Sequence, residues 1–226
     1  MNRRIVVGLI LAWMGIAALH AQDFEHAFQQ AQEAFELRSA NAQQSLKAYL
    51  ADYPYTPYVD EVYTMQGILL TEQKQYKPAV QTMAKVDVKQ LSRKMIPLYN
   101  FHMGYAYFQL GEESKALTYL QRLKKKDNPY ALQATYYVGC CYYNQREYGK
   151  ALVEFLTLEQ NGGYQQIAPY YIVQIYYAQG AYDKVLERAE MLLADYPENE
   201  YNDELHRIAG EIYYRDSVYE KAVSHL

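Results

Sequence analysis

Residues Ala131 to Leu158 read ALQATYYVGCCYYNQREYGKALVEFLTL. Apolar residues recur at three- and four-residue steps on both sides of the polar break Asn144-Gln145-Arg146-Glu147, the pattern of two short amphipathic helices joined by a turn. Gly139 has no side chain and lets a second helix approach its backbone, and Ala151 is the small residue of that second helix, 12 positions on. The same 12-residue interval returns at Gly67 and Ala79, at Gly104 and Ala116, and at Gly210 and Ala222. Successive glycines lie 37, 35 and 71 residues apart, and the last gap holds one further unit in which Val173 and Val185 take the two places. Four such pairs keeping step through uneven spacing mark an internal repeat of solenoid period.

Other residues obey the same ruler. Three places after the glycine stand Leu70, Tyr107, Tyr142, Tyr176 and Tyr213; nine places after it stand Tyr76, Tyr148, Tyr182 and Tyr219, each at the predicted start of a second helix. Bulky rings are needed wherever the facing residue is small. Pro54 and Pro197 close units, each within Leu-Ala-Asp-Tyr-Pro, because proline cannot continue a helix. Gly111 separates two helices, while Asp127-Asn128-Pro129 and Asn161-Gly162-Gly163 separate units. In the atypical first unit Gln30 is expected at the glycine place, with Ala42, Leu46 and Tyr49 on the second helix.

This pattern resembles the tetratricopeptide repeat. The small and large positions of that family fall on Val138, Gly139, Tyr142, Ala151 and Phe155, and on Met103, Gly104, Tyr107, Ala116 and Leu120 in the preceding unit. The first-helix Trp of the family is replaced by Tyr63, Asn100, Thr135 and Pro169. The resemblance implies an all-α fold: a right-handed superhelical solenoid of antiparallel helix pairs over residues 22–226, about six units starting near 23, 60, 97, 132, 166 and 203, the last incomplete.

Residues 1–21 carry Arg3 and Arg4, an apolar run from Ile5 to Ala18 and Ala21 before Gln22, the layout of a signal peptide. The run is shorter than the roughly 20 residues of a membrane span. An exported chain, periplasmic or extracellular, is therefore expected, without a membrane span after signal removal. The formal charge of -4 becomes more negative once Arg3 and Arg4 are removed, which argues against nucleic acid as a partner. Arg122 and Lys124 to Lys126 read as cations at the carbonyl end of a helix rather than as an anion-binding patch.

Chemistry is sparse. Adjacent helical residues point about 100 degrees apart, so Cys140 and Cys141 are expected as free thiols, Cys141 in the core and Cys140 facing a groove. His26, His102, His206 and His225 have no second ligand at helical or loop spacing, so neither a metal nor a cofactor is expected. No nucleophile elbow, phosphate loop or zinc-helix motif is present, so catalysis is not expected.

Tyrosine is abundant instead, with 27 in the chain, more than the packing rows consume. Residues three before, one after and four after the glycine share one face of each first helix. In the resembled family that face lines a concave peptide groove. Here it carries Phe101, Tyr105 and Phe108; Tyr136, Cys140 and Tyr143; Tyr170, Gln174 and Tyr177; and, in the outer units, Thr64, Ile68 and Thr71, then Arg207, Glu211 and Tyr214. The expected function is a non-catalytic scaffold of the bacterial cell envelope binding a peptide segment or partner protein in this groove, with self-association through the incomplete last repeat. The alternative is a glycan-binding helical-repeat protein of an uptake system, since ring faces also suit sugars.

Overall fold

The computed structural model describes residues 22–124 and 127–225. The signal-peptide reading of residues 1–21 and the basic residues Lys125 and Lys126 lie outside that range. Among the described residues the secondary structure is helical throughout. In order these are α1 (22–36), α2 (Ala42–Asp52), α3 (Val59–Glu72), α4 (Tyr76–Met83), α5 (Met95–Gln109), α6 (Glu113–Leu120), α7 (Ala131–Asn144), α8 (Tyr148–Leu158), α9 (Ile167–Ala178), α10 (Tyr182–Asp195), α11 (Asn202–Arg215) and α12 (Tyr219–Ser224). Short 3-10 turns follow α4 and α6 at Val88–Gln90 and Gln121–Leu123. The chain divides into two compact units between Leu110 and Gly111. In the first unit α3 packs against α2, α4 and α5; in the second, α6 to α12 pack in file, each on the next.

The turn inside each pair is one shape used five times. Its left-handed residue lies seven places after the ruler position: Lys74 (φ 60), Gly111 (φ 71), Arg146 (φ 59), Gly180 (φ 71) and Ser217 (φ 60). The next residue bridges into the second helix with φ between -102 and -80 and ψ between 58 and 67. Its N–H returns to the carbonyl five residues back, as in Gln75 to Leu70 at 2.8 Å and Ala181 to Tyr176 at 2.9 Å, which satisfies the last turn of the first helix. Glycine occupies that place in two of the five turns, so the turn type is imposed by packing rather than by composition.

The same ruler corrects the first unit. Arg38, at φ 49, is its left-handed residue, which puts the ruler position at Ala31. Ala31 is buried whereas Gln30 is exposed and bonds the His26 ring at 2.9 Å. A long polar amide does not fit a buried place against which the second helix packs; the alanine beside it does.

Close approach is real at the glycines, and it is a large side chain that fills the space. A Cβ on Gly67 would stand 2.1 Å from Met83 Cγ, and one on Gly139 would stand 3.0 Å from Phe155 Cζ. Met83 and Phe155 each lie 16 residues after their glycine. In the α9–α10 pair the order is reversed: Val173 and Val185 are bulky, and the residue at that 16th place is Ala189, all three fully buried in one cluster with Leu205 and Ile208. The volume is kept while its donors change helices.

The Leu-Ala-Asp-Tyr-Pro segments end α2 and α10 alike. Tyr53 (φ -131, ψ 58) and Tyr196 (φ -134, ψ 72) leave the α-helical region, which a following proline disfavours.

Candidate functional site

Six of the nine residues expected to line a groove lie on α7 and α9 of the second unit, where ring contacts join the two helices. The ring at the centre of these contacts is Tyr171, two places before the ruler position. It stacks on Phe155 with centroids 4.6 Å apart and planes at 2°. Tyr136 and Tyr143 meet it edge-on at 6.1 and 5.4 Å, and Tyr164, from the turn before α9, lies 5.8 Å from Tyr136. Tyr143 also takes the edge of Tyr148, and Tyr177 meets Tyr182 in the same way one pair later. Tyr170 faces the next pair, stacked on Tyr201 at 4.2 Å. Edge-to-face and offset pairs of this kind each contribute about 1 kcal/mol beyond burial. The rings are half-buried.

The wall is electrically neutral. Burial raises the phenols of Tyr136, Tyr171, Tyr143 and Tyr170, and pushes Tyr201 up to about 12 with the Glu200 carboxylate adding to it. Tyr177 is raised first by its bond to Glu211, its hydroxyl donating at 2.9 Å. The hydroxyls therefore stay protonated and serve as donors.

Cys140 differs from expectation. It is buried, 3% exposed, beneath the hydroxyls of Tyr136 and Tyr171, which hydrogen-bond with it. The larger rings on either side close over the small thiol. Burial pushes the Cys140 thiol up to about 11 and, with Cys140 and Glu113 adding, Cys141 up to about 12. Both are free and buried, and at neutral pH neither supplies a thiolate. Gln174 lies between Tyr170 and Tyr177 on α9, half-buried, with its side chain beside Tyr170 and Glu204.

At the far edge of the wall, Arg207 joins Glu204 and Glu211, with Nη2 to Glu204 Oε1 at 2.7 Å and Nη1 to Glu211 Oε1 at 2.5 Å. Tyr214 is 69% exposed. The other three expected residues, Phe101, Tyr105 and Phe108, lie half-buried on α5 in the first unit. There Phe101 stacks parallel to Tyr105 at 6.2 Å, and Tyr76 meets Tyr105 edge-on at 5.9 Å. Thr64, Ile68 and Thr71 are not on an open face. All three are buried, because α3 is packed by α2, α4 and α5, and both hydroxyls return to carbonyls of their own helix at 2.8 Å.

Sequence spacing misses Tyr171, Tyr164 and Tyr201. The signal for Tyr171 is the row two places before the ruler position, Met65, His102, Tyr137, Tyr171 and Ile208, whose bulk covers the preceding pair. It also misses a pairing of histidines: His206 and His225 meet with Nδ1 atoms 2.9 Å apart. Among the described residues no group of three or more His, Cys, Asp or Glu is placed to hold a metal, and no helix is long and apolar enough to cross a membrane. The basic run has a structural use at Lys124, whose Nζ holds both carboxylate oxygens of Glu154 at 2.7 and 2.6 Å.

Several solved structures share this fold. A tetratricopeptide repeat protein from Parabacteroides merdae ATCC 43184 is 20% identical, with a TM-score of 0.64 over 90% of this chain and 77% of that one. MamA of AMB-1 is 18% identical, with a TM-score of 0.62 over 75% of this chain and 89% of its own. MamA of MSR-1 is 18% identical, with a TM-score of 0.59 over 74% and 92%. No curated protein matches the chain. Residues 100–127 match the family model described as tetratricopeptide repeat. Residues 100–127 thus carry a tetratricopeptide repeat by sequence, within a fold of stacked helix pairs shared with these solved structures.

Proposed function

We propose that the chain is an exported, non-catalytic scaffold of the bacterial cell envelope that holds an extended or helical segment of a partner protein against the tyrosine wall of α7 and α9. Tetratricopeptide repeats are protein-interaction modules, and the observation that carries the finer reading is the joined set Tyr136, Tyr171 and Tyr143, half-buried and uncharged. Tyrosines of this kind are favoured at interfaces, since a stiff ring buries area while its hydroxyl finds an acceptor. Export rests on the sequence of residues 1–21.

The glycan reading would draw on Tyr177 with Arg207 and Glu211, but those charges are already committed to each other and to the Tyr177 hydroxyl. Peptide binding is favoured for that reason. A second contact surface lies on α11 and α12, where Tyr214, Tyr219 and Val223 are 69%, 58% and 70% exposed; self-association there would appear as a concentration-dependent mass in sedimentation.

The test captures partners from envelope extract with the wild type and with a variant carrying Tyr136→Ala, Tyr143→Ala, Tyr170→Ala and Tyr177→Ala, beside a glycan panel. A protein retained by the wild type and lost by the folded variant supports the proposal. Retention of that protein by both, or binding of glycans alone, contradicts it.

A further inference from the structure

We propose that the His206–His225 pair is a pH-sensitive latch that holds α12 on α11 at neutral pH and opens on acidification. The proposal is independent of what the tyrosine wall binds. The two residues are 19 positions apart, one on α11 and one just past α12, and their Nδ1 atoms approach to 2.9 Å with ring centroids 5.0 Å apart. At that separation one ring must donate its Nδ1–H and the other must accept with its lone pair. A first proton added at an Nε2 leaves this bond intact and charge-assisted. A second proton gives both rings an Nδ1–H pointing at the other, and the contact becomes a repulsion between two cations.

The surroundings sharpen this behaviour. Tyr213 of α11 stacks on His225 at 5.6 Å, its hydroxyl donates to Glu190 of α10, and Lys221 of α12 donates to that Tyr213 hydroxyl oxygen at 3.3 Å. The charged and titratable groups facing the pair are thus Glu190, Tyr213 and Lys221. Burial holds His225 below its ordinary value of 6.5; His206 and Lys221 lower it further, and Glu190 opposes them. The folded protein then binds fewer protons than the unfolded chain just below that value. Stability of this end is full above the ordinary histidine range and falls as pH drops toward the lowered value. Opening the latch would release α12 and uncover Ala222, now 2% exposed, and the Tyr213 ring, now 7% exposed.

Two measurements decide it. Long-range proton–nitrogen NMR at about pH 7.5 should show one ring protonated at Nδ1 and the other at Nε2; two rings both protonated at Nε2 would overturn the pairing. Amide exchange of residues 219–225, corrected for intrinsic rate and referenced to α9, should lose about tenfold or more in protection between about pH 7.5 and about pH 5. His225→Gln should remove that loss, because a glutamine can donate to a neutral His206 or accept from a charged one. If His225→Gln already lacks protection near neutral pH, the reciprocal His206→Gln carries the test. Equal pH dependence in wild type and variant would overturn the proposal.

Discussion

The α7–α8 and α9–α10 pairs lie next to each other and share one backbone plan, yet their side chains are inverted in two respects. In α7–α8 the first helix gives way at Gly139 and the second fills with Phe155; in α9–α10 the first fills with Val173 and the second gives way at Ala189. Charge is inverted as well. Fifteen places after the ruler position stand Glu154 in one pair and Arg188 in the other, and each is bound by a residue 20 places after the ruler position of the preceding unit, Lys124 and Glu159 respectively. The two ion pairs occupy equivalent places with opposite sign. What the repeat specifies is therefore a summed volume and a neutralised pair, and any one position can change if its partner changes with it.

The comparison can be broken most strongly at the charges. Glu154 has a side chain only 10% exposed, so Lys124→Glu places two carboxylates together and should cost about 3 kcal/mol in denaturant unfolding. Adding Glu154→Arg recreates the polarity already present at Arg188 and Glu159 and should recover most of that loss. A double variant no better than the single one would mean that the two sites are not equivalent.

Volume gives the next effect. Ala189→Phe overpacks a fully buried site and should cost about 2 kcal/mol. Val173→Gly alone leaves a cavity and a helix-interior glycine. Combined, they reproduce the α7–α8 arrangement, and a double-mutant cycle should return a favourable coupling of about 1 kcal/mol or more. Additive losses would show that the inverted pairs are not interchangeable solutions.

The smallest effect belongs to the turns. Arg146 and Gly180 hold the same left-handed place, at φ 59 and φ 71. Arg146→Gly should raise stability, and Gly180→Ala should lower it, each by about 1 kcal/mol or less, read as opposite shifts in the thermal midpoint.

Much of this was legible in the chain itself, because small residues recur at a fixed interval where the side chains of a second helix repeatedly pack against the backbone of the first. Helix pairs, their turns and the proline stops follow from local spacing around Gly67, Gly139 and Pro197. The first unit misled because Gln30 and Ala31 are neighbours and Gln30 lies at the 12-residue interval from Ala42, whereas burial selects Ala31. On the candidate wall, the helix face was readable, but which ring is central was not: the row two places before the ruler position marks Tyr171 as bulky, and only its stacking on Phe155 of the preceding pair makes it the centre. Cys140 was placed on the correct helix face, but its neighbours are long enough to cover it. His206 and His225 meet through the fold of α11 and α12, which no spacing rule anticipates.

The central claim is that the α7–α9 tyrosines are a binding surface and not a displaced piece of core. Its most direct test is a titration of a captured partner segment against wild type, Tyr143→Ala and Tyr177→Ala, with folding followed by circular dichroism. The account predicts folded variants, destabilised by about 2 kcal/mol for Tyr143→Ala, which loses two ring contacts, and about 1 kcal/mol for Tyr177→Ala, which loses one, with an affinity loss of about 2 kcal/mol that exceeds the destabilisation for at least one ring. Unchanged affinity, or a loss matched by equal destabilisation of the fold, would contradict it.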